Sequence, residues 1–187
     1  MSNVSKDFFK LAKKHKLPPP HKAITHEALL AKSKVHARKS IEAKNRDDET
    51  ECQLWAATAL ELLAKAQLAG IHASLVVEVE KNNLNTLLEA SGISTGTLVK
   101  TVGAVEAYAR LKHTVPNFST PVFAECKRLG ERRNAELHSG EAACAAIPYD
   151  AWEGDFWNAA DLSLDSMGMD LKEWLGADAK APKQLRK

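Results

Sequence analysis

Apolar residues recur at steps of three and four along most of this chain, a spacing that predicts helices nearly from end to end. The strongest run is Asp48 to Ala69. Acids fill its first turn, Leu54 to Ala66 is apolar except for Thr58, Glu61 and Lys65, and Gly70 is the expected stop. A helix that apolar belongs at the centre of a fold. Lys22 to Lys44 has helical composition without glycine or proline, but is mostly polar. Asp7 to His15 reads as a short basic helix closed by the stiff Leu17-Pro18-Pro19-Pro20. Leu75 to Val79 is short enough for a strand, although continued helical packing is the favoured reading. Leu84 to Ala90 and Thr97 to His113 are expected helices, with a loop at Gly92-Ile93-Ser94-Thr95-Gly96 between them. Ser119-Thr120-Pro121 offers capping hydroxyls before a first-turn proline and starts a helix that runs to His138. Ala151 to Met167 and a short segment ending at Trp174 complete the set. The fold class is all-α, a helical bundle.

One helix carries an anomaly. Stepping back from Leu137 gives Arg133, Leu129, Cys126 and Val122, so an arginine lies within an apolar stripe and is drawn inward with it. A guanidinium keeps its charge, and burying it requires an acidic partner, a phosphate or a wet cleft. The next stripe is Lys127, Gly130, Asn134 and His138, which sets Asn134 one turn behind His138 and places it to orient the imidazole. Ser139-Gly140 is the expected stop, with glycine in the left-handed conformation. A fixed cation beside a protonatable ring suits phosphoryl chemistry. On the central helix Thr58, Glu61 and Lys65 share a stripe, so Glu61 and Lys65 can pair at the i,i+4 spacing.

Composition narrows the setting. A chain of 187 residues can bury one good-sized core. The expected division is a basic N-terminal helical arm over 1–46, a helical domain over 47–176 and a disordered tail over 177–187. No apolar run is long enough to span a bilayer, and Met1-Ser2-Asn3-Val4-Ser5-Lys6 lacks the apolar block of a secretory signal. Cys52, Cys126 and Cys144 are odd in number and set in apolar contexts, as expected of reduced core thiols in a cytoplasmic protein. Net charge is only +2, yet residues 1–46 hold twelve Lys/Arg against three Asp/Glu. From Ser139 to Asp178 there are nine acids and one base, Lys172. The basic stretch either attracts nucleic acid or lies against the acidic C-terminal helices.

Several motifs fail on inspection. Gly92-x3-Gly96-x3-Lys100-Thr101 lacks the lysine directly after the second glycine that a phosphate loop needs. His26-Glu27 begins like a metalloprotease helix, but the second histidine would fall at Leu30. No Cys/His set has zinc spacing, so neither a metal nor another cofactor is expected. His15, His21, His26 and His36 read as surface residues of the basic arm, and the four tryptophans as core anchors.

Arg133-Asn134-x3-His138 at the end of a late helix resembles the R-x4-6-H motif of HEPN domains (higher eukaryotes and prokaryotes nucleotide-binding), in which asparagine often follows the arginine. Leu60-Glu61-Leu62-Leu63-Ala64-Lys65 resembles a run in that family's other long core helix. The resemblance covers roughly Asp47 to Gly176, and only the motif helix is specific. It implies an HEPN-like bundle and a metal-independent endoribonuclease acting as a homodimer on RNA. The ribose 2′-hydroxyl would attack the adjacent phosphate and leave a 2′,3′-cyclic phosphate. His138 would be the general acid or base, Arg133 would stabilise the phosphorane, Asn134 would orient the site and Arg132 would contact flanking phosphate. Glu61 would hold Arg133, with pairing to Lys65 as the simpler alternative. Gly130 would let a partner helix approach.

Geometry independently favours two copies, because residues five apart on a helix point about 140° away from each other. Two antiparallel helices related by a two-fold axis would bring one chain's arginine towards the other's histidine. Members of the family serve phage defence, toxin–antitoxin pairs and RNA processing, so an antitoxin or other regulator is an expected type of partner. The tyrosine that some HEPN toxins carry two residues after the histidine is replaced here by Gly140, which argues against that branch. The rival reading is a non-catalytic HEPN-like module for nucleotide or RNA binding or for scaffolding. A purely structural helical protein is the third.

Overall fold

The most apolar helix of the chain is the one the others surround. The structure, a computed structural model, describes residues 19–79 and 84–179. Its seven α-helices are α1 (His26–Lys44), α2 (Glu49–Ile71), α3 (Asn85–Ala90), α4 (Ala104–Thr114), α5 (Thr120–His138), α6 (Glu153–Ser166) and α7 (Leu171–Leu175), and no β-strand is present among the described residues. Helix α2 packs against α1, α4, α5 and α6, and supplies Ala56, Leu60, Leu63, Ala64 and Leu68 to the core. None of the helices is long and apolar enough to cross a membrane. The expected helix at Asp7 to His15 lies outside the described residues, as does the tail from 180 onward.

Helix α1 is polar in composition and nevertheless packs along α2. Its inward positions are Leu29, Ser33, Ala37, Ser40 and Ala43, mostly small side chains that let two helices approach closely. Thr25 caps it by accepting from Ala28 N at 3.2 Å, and Asp48 caps α2 by accepting from Glu51 N at 2.8 Å. Between them Asp47 takes φ 55°, which aspartate tolerates better than most residues. The pair runs antiparallel: Ser40 Oγ donates to Cys52 O at 2.8 Å, and His26 Nδ1 donates to Ala66 O at 2.9 Å. Ser33 donates to Leu30 O and accepts from Trp174 Nε1 at 3.0 Å, so neither side of its hydroxyl is wasted in the core.

The same helix meets the acidic end of the chain. Lys44 pairs with Glu153 at 2.5 Å, Arg38 with Asp178 at 3.2 Å, and Lys34 and Arg38 donate to the carbonyls of Glu173 and Leu175. The stretch expected as a basic arm thus contributes a layer of the bundle from His26 onward. At the other end, Gly176–Ala179 forms a 3-10 turn with Ala179 buried, where a disordered tail was expected to begin.

Two expectations for the middle of the chain need correction. The helix expected from Thr97 starts at Ala104. Thr97, Val99, Thr101 and Val102 are four β-branched residues in a non-helical run, and Thr101 forms an antiparallel bridge with Val77. Val102 N donates to Val76 O and Glu78 N donates to Lys100 O, both at 3.0 Å. Leu75 and Val76 lie in a 3-10 turn before this bridge. Helix α5 keeps its expected bounds, but neither end is built as expected. Ser119 makes no side-chain capping bond, and Gly140 does not adopt a positive φ. The helix ends because Ser139 turns extended, donating through Oγ to Ala135 O and accepting from Glu141 N.

Removing residues 1–46 deletes α1 and bares the α2 face it covers. The expected loss of several kcal/mol corresponds to a Tm lower by roughly 10 °C or more, at about 2–4 °C per kcal/mol. A thermal melt followed by circular dichroism measures it, and an unchanged Tm would mean that α1 is dispensable to the fold.

Candidate active site on helix α5

Periodicity turns Arg133 towards the core, and there it meets an acid. Its Nη2 lies 2.5 Å from Glu61 Oε2 on α2, with the arginine side chain 17 % and the glutamate 12 % exposed. The other carboxylate oxygen, Oε1, accepts from Lys65 Nζ at 2.6 Å, and Lys65 also donates to Thr101 Oγ1 at 3.1 Å. Both pairings open to Glu61 are therefore made at once, one on each oxygen. Three buried charges on α2 and α5 leave a net +1, and the Thr101 hydroxyl joins them to the extended segment before α4. Tyr108 OH and Arg133 Nε are buried near this cluster and have no hydrogen-bond partner among the described residues. Burial pushes the Tyr108 phenol well above its usual range. Within the described residues Arg133 Nη1 makes no hydrogen bond, and it is not among the atoms sealed from solvent, which leaves it open to a ligand.

The other motif residues separate from this cluster. His138 and Asn134 are both exposed, on the stripe that also carries Lys127 and Glu131. The expected hydrogen bond between Asn134 and the imidazole is not formed, and among the described residues no other side chain or backbone group bonds to the ring. Arg132 turns inward at a different point. The fully buried Gln53 amide sits with its oxygen 2.9 Å from both Arg132 Nη1 and Trp152 Nε1. Burial, followed by the charge of Arg128, lowers the Arg132 pKa below the ordinary arginine range. This guanidinium ties α5 to Gln53 on α2, and Gln53 in turn accepts from Trp152, the residue just before α6. Gln53 is a polar core residue whose partners lie far along the chain, at Arg132 and Trp152.

Gly130 needs the plainest correction. A Cβ there would stand 3.4 Å from Ala104 Cβ and 3.7 Å from Tyr108 Cε2, so the clearance it provides is filled by α4 of the same chain. It is buried, and no second copy can use it. The exposed apolar side chain of this region is Leu137, at 52 %. Glu136 Oε2 accepts from Cys144 N at 2.9 Å and folds the following loop back on α5. All three cysteines are free and buried, with burial raising the thiols of Cys52 and Cys144 to about 11 and that of Cys126 to about 12. Their thiolates are scarce at neutral pH, so they are core residues here. Among the described residues no three His, Cys, Asp or Glu side chains converge as a metal site would need.

No family model, curated protein or solved structure matches this chain. The functional reading rests on the residues themselves.

Unequal losses should follow from the shared carboxylate. Glu61→Ala leaves two buried cations uncompensated and is expected to lower stability by about 3–5 kcal/mol. Arg133→Ala leaves Glu61 still paired with Lys65, so its loss should stay near 1.5–3 kcal/mol, the range for one charged hydrogen bond. Urea denaturation ranks the two; an Arg133→Ala loss as large as that of Glu61→Ala would remove the hub role from Glu61.

Proposed function

We propose that the protein is a metal-independent endoribonuclease of HEPN type that works as a homodimer. The observation that carries this reading is a fixed cation and a free imidazole on one helix: Arg133 is clamped by Glu61 with Nη1 left open, while His138 stands exposed one turn and a half beyond. In the reaction, one His138 accepts the proton of a ribose 2′-hydroxyl as its oxygen bonds to the adjacent phosphorus. Arg133 Nη1 offsets the charge on the phosphorane. The bond to the 5′-oxygen then breaks, a proton reaches that oxygen from the symmetry-related His138, and the products are a 2′,3′-cyclic phosphate and a 5′-hydroxyl. Asn134 acts on RNA or on the partner's imidazole, since it does not bond to its own. HEPN membership, the RNA substrate and service in defence, as a toxin or in RNA processing belong to this proposal.

A second reading has its own support. Arg133 is largely buried and already ion-paired, as a residue of purely structural value would be. On that reading the domain is a non-catalytic binding or scaffolding module.

Cleavage of single-stranded RNA in EDTA, with the ends analysed for cyclic phosphate, separates the two. His138→Ala should lower the rate by about 100- to 10,000-fold, the usual range for lost acid–base catalysis, with an unchanged Tm. Arg133→Lys keeps a charge near Glu61 but loses the fork, and should also be strongly impaired. Full activity in either variant, or cleavage abolished by EDTA, would refute the mechanism.

The interface on this proposal is the outer stripe of α5, running from Lys127 and Glu131 through Asn134 to Leu137 and His138. Leu137→Asp should therefore shift the mass in solution from dimer to monomer and reduce cleavage in parallel. Gly130→Leu should instead destabilise the single chain by crowding Ala104 and Tyr108. A protein that remains strictly monomeric while cleaving RNA would rule out a composite site.

A further inference from the structure

A second site lies away from α5, in a cleft of about 340 Å³ where the start of α1 meets the ends of α2 and α6. Its lining includes His26, Glu27, Gln67, Ile71, Ser166 and Met167. Gln67 is six positions beyond Glu61 and so points about 120° away from it around α2. The cleft and the Arg133 cluster therefore belong to different faces of the central helix.

Gln67 is only 5 % exposed, its amide makes no hydrogen bond within the described residues, and what it exposes lines the cleft rather than being sealed in the core. An amide on an otherwise buried side chain that opens only into a cleft has a donor and an acceptor free for something that enters. The neighbouring histidine is oriented. His26 Nδ1 can bond to the Ala66 carbonyl, 2.9 Å away, only as a donor, which fixes the neutral ring's proton there and leaves Nε2 as an acceptor. Gly70 makes this approach feasible. A Cβ at Gly70 would lie 3.1 Å from His26 Nδ1, closer than ordinary contacts allow. A glycine inside the last turn of a helix is unfavourable for the helix itself, and here its lack of a side chain admits the imidazole. Ile71 and Met167 give the cleft apolar walls, and exposed Glu27 sets a negative charge at its rim.

We propose that this cleft binds a purine nucleoside, with the Gln67 amide reading the base edge. An amide presents a donor beside an acceptor, the complement of the N6 amino group and N7 of adenine. The polarizable thioether of Met167 suits the face of a flat ring. His26 Nε2 adds a second acceptor for an amino group. The Glu27 carboxylate can accept from ribose hydroxyls and repels phosphate, which favours the nucleoside part of a ligand over a free nucleotide. The volume falls at the small end of the range for ligand sites. The same base can arrive as a free nucleoside or splayed from an RNA strand.

Titration calorimetry on the full chain carrying His138→Ala tests this without cleavage, so the result is independent of the nuclease reading. Adenosine should bind saturably at one site per chain, and cytidine and uridine about tenfold more weakly or not at all. Gln67→Leu should weaken adenosine about tenfold or more while keeping the Tm. Gly70→Ala should weaken it similarly by displacing His26, although alanine favours the helix, so a raised or unchanged Tm alongside lost binding separates the site from a folding defect. Tighter binding of a short oligoadenylate than of adenosine assigns the base to RNA, and equal or weaker binding assigns it to a free nucleoside. No saturable binding of adenosine or oligoadenylate at millimolar concentration, equal binding of pyrimidine nucleosides, or undiminished binding in both variants would overturn the proposal.

Discussion

One carboxylate shared by two buried cations governs the arrangement of this bundle. Glu61 offers an oxygen to Lys65 on its own helix and the other to Arg133 on α5. In a poorly solvated interior each attraction is strong, but so is the penalty for leaving any of the three groups alone. The cluster therefore tolerates few alternative rotations of α5. Lys65, through Thr101, extends the same constraint to the extended segment that bridges to Val77. A purely apolar seam between α2 and α5 would permit sliding, whereas a carboxylate held from both sides by Lys65 and Arg133 favours one register.

That register divides α5 into two unlike sides. Cys126, Leu129, Gly130 and Arg133 face neighbours in the chain, with the glycine set against α4. Lys127, Glu131, Asn134 and His138 face outward and leave the imidazole unheld. The cation is preorganised by its own chain, and the titratable ring is not. Arg132, adjacent in sequence, is committed to Gln53 and ties α5 to α2 at a second point. Three consecutive polar residues of one motif thus have three different environments.

Much of this was legible in advance, for reasons that can be named. Helices α2 and α5 announce themselves by long periodic runs, and the placement of Arg133 in an apolar stripe predicts its burial. Glu61 was visible as a partner, although spacing alone left Lys65 and Arg133 as alternatives and the structure uses both. Helix α1 is expected as a helix, but the sequence leaves open whether it meets nucleic acid or the acidic helices, because its buried face is mostly serine and alanine, which hydropathy does not separate from a solvated surface. Gly130 showed a close approach but not the identity of the helix approaching, since that depends on how α4 folds back. The segment 97–103 looked helical by composition, while its pairing with Val77 is a tertiary effect. His26 was assigned to the surface because its acceptor, Ala66, lies forty residues away.

The contact between Ser33 and Trp174 spans 141 positions, while the α1–α2 hairpin closes through neighbours such as Ser40 and Cys52, twelve apart. During synthesis the hairpin can zip as soon as it emerges, because local pairs close quickly. The face of α1 that receives Trp174 must then wait for nearly all of the remaining chain. Until α7 arrives, a hydroxyl and the small-residue groove around it stay open to water, and their polarity makes that interval safer than a leucine-lined groove would be. The serine that gives α1 the composition of a surface helix also leaves a polar rather than an apolar group on the hairpin until its last partner is made.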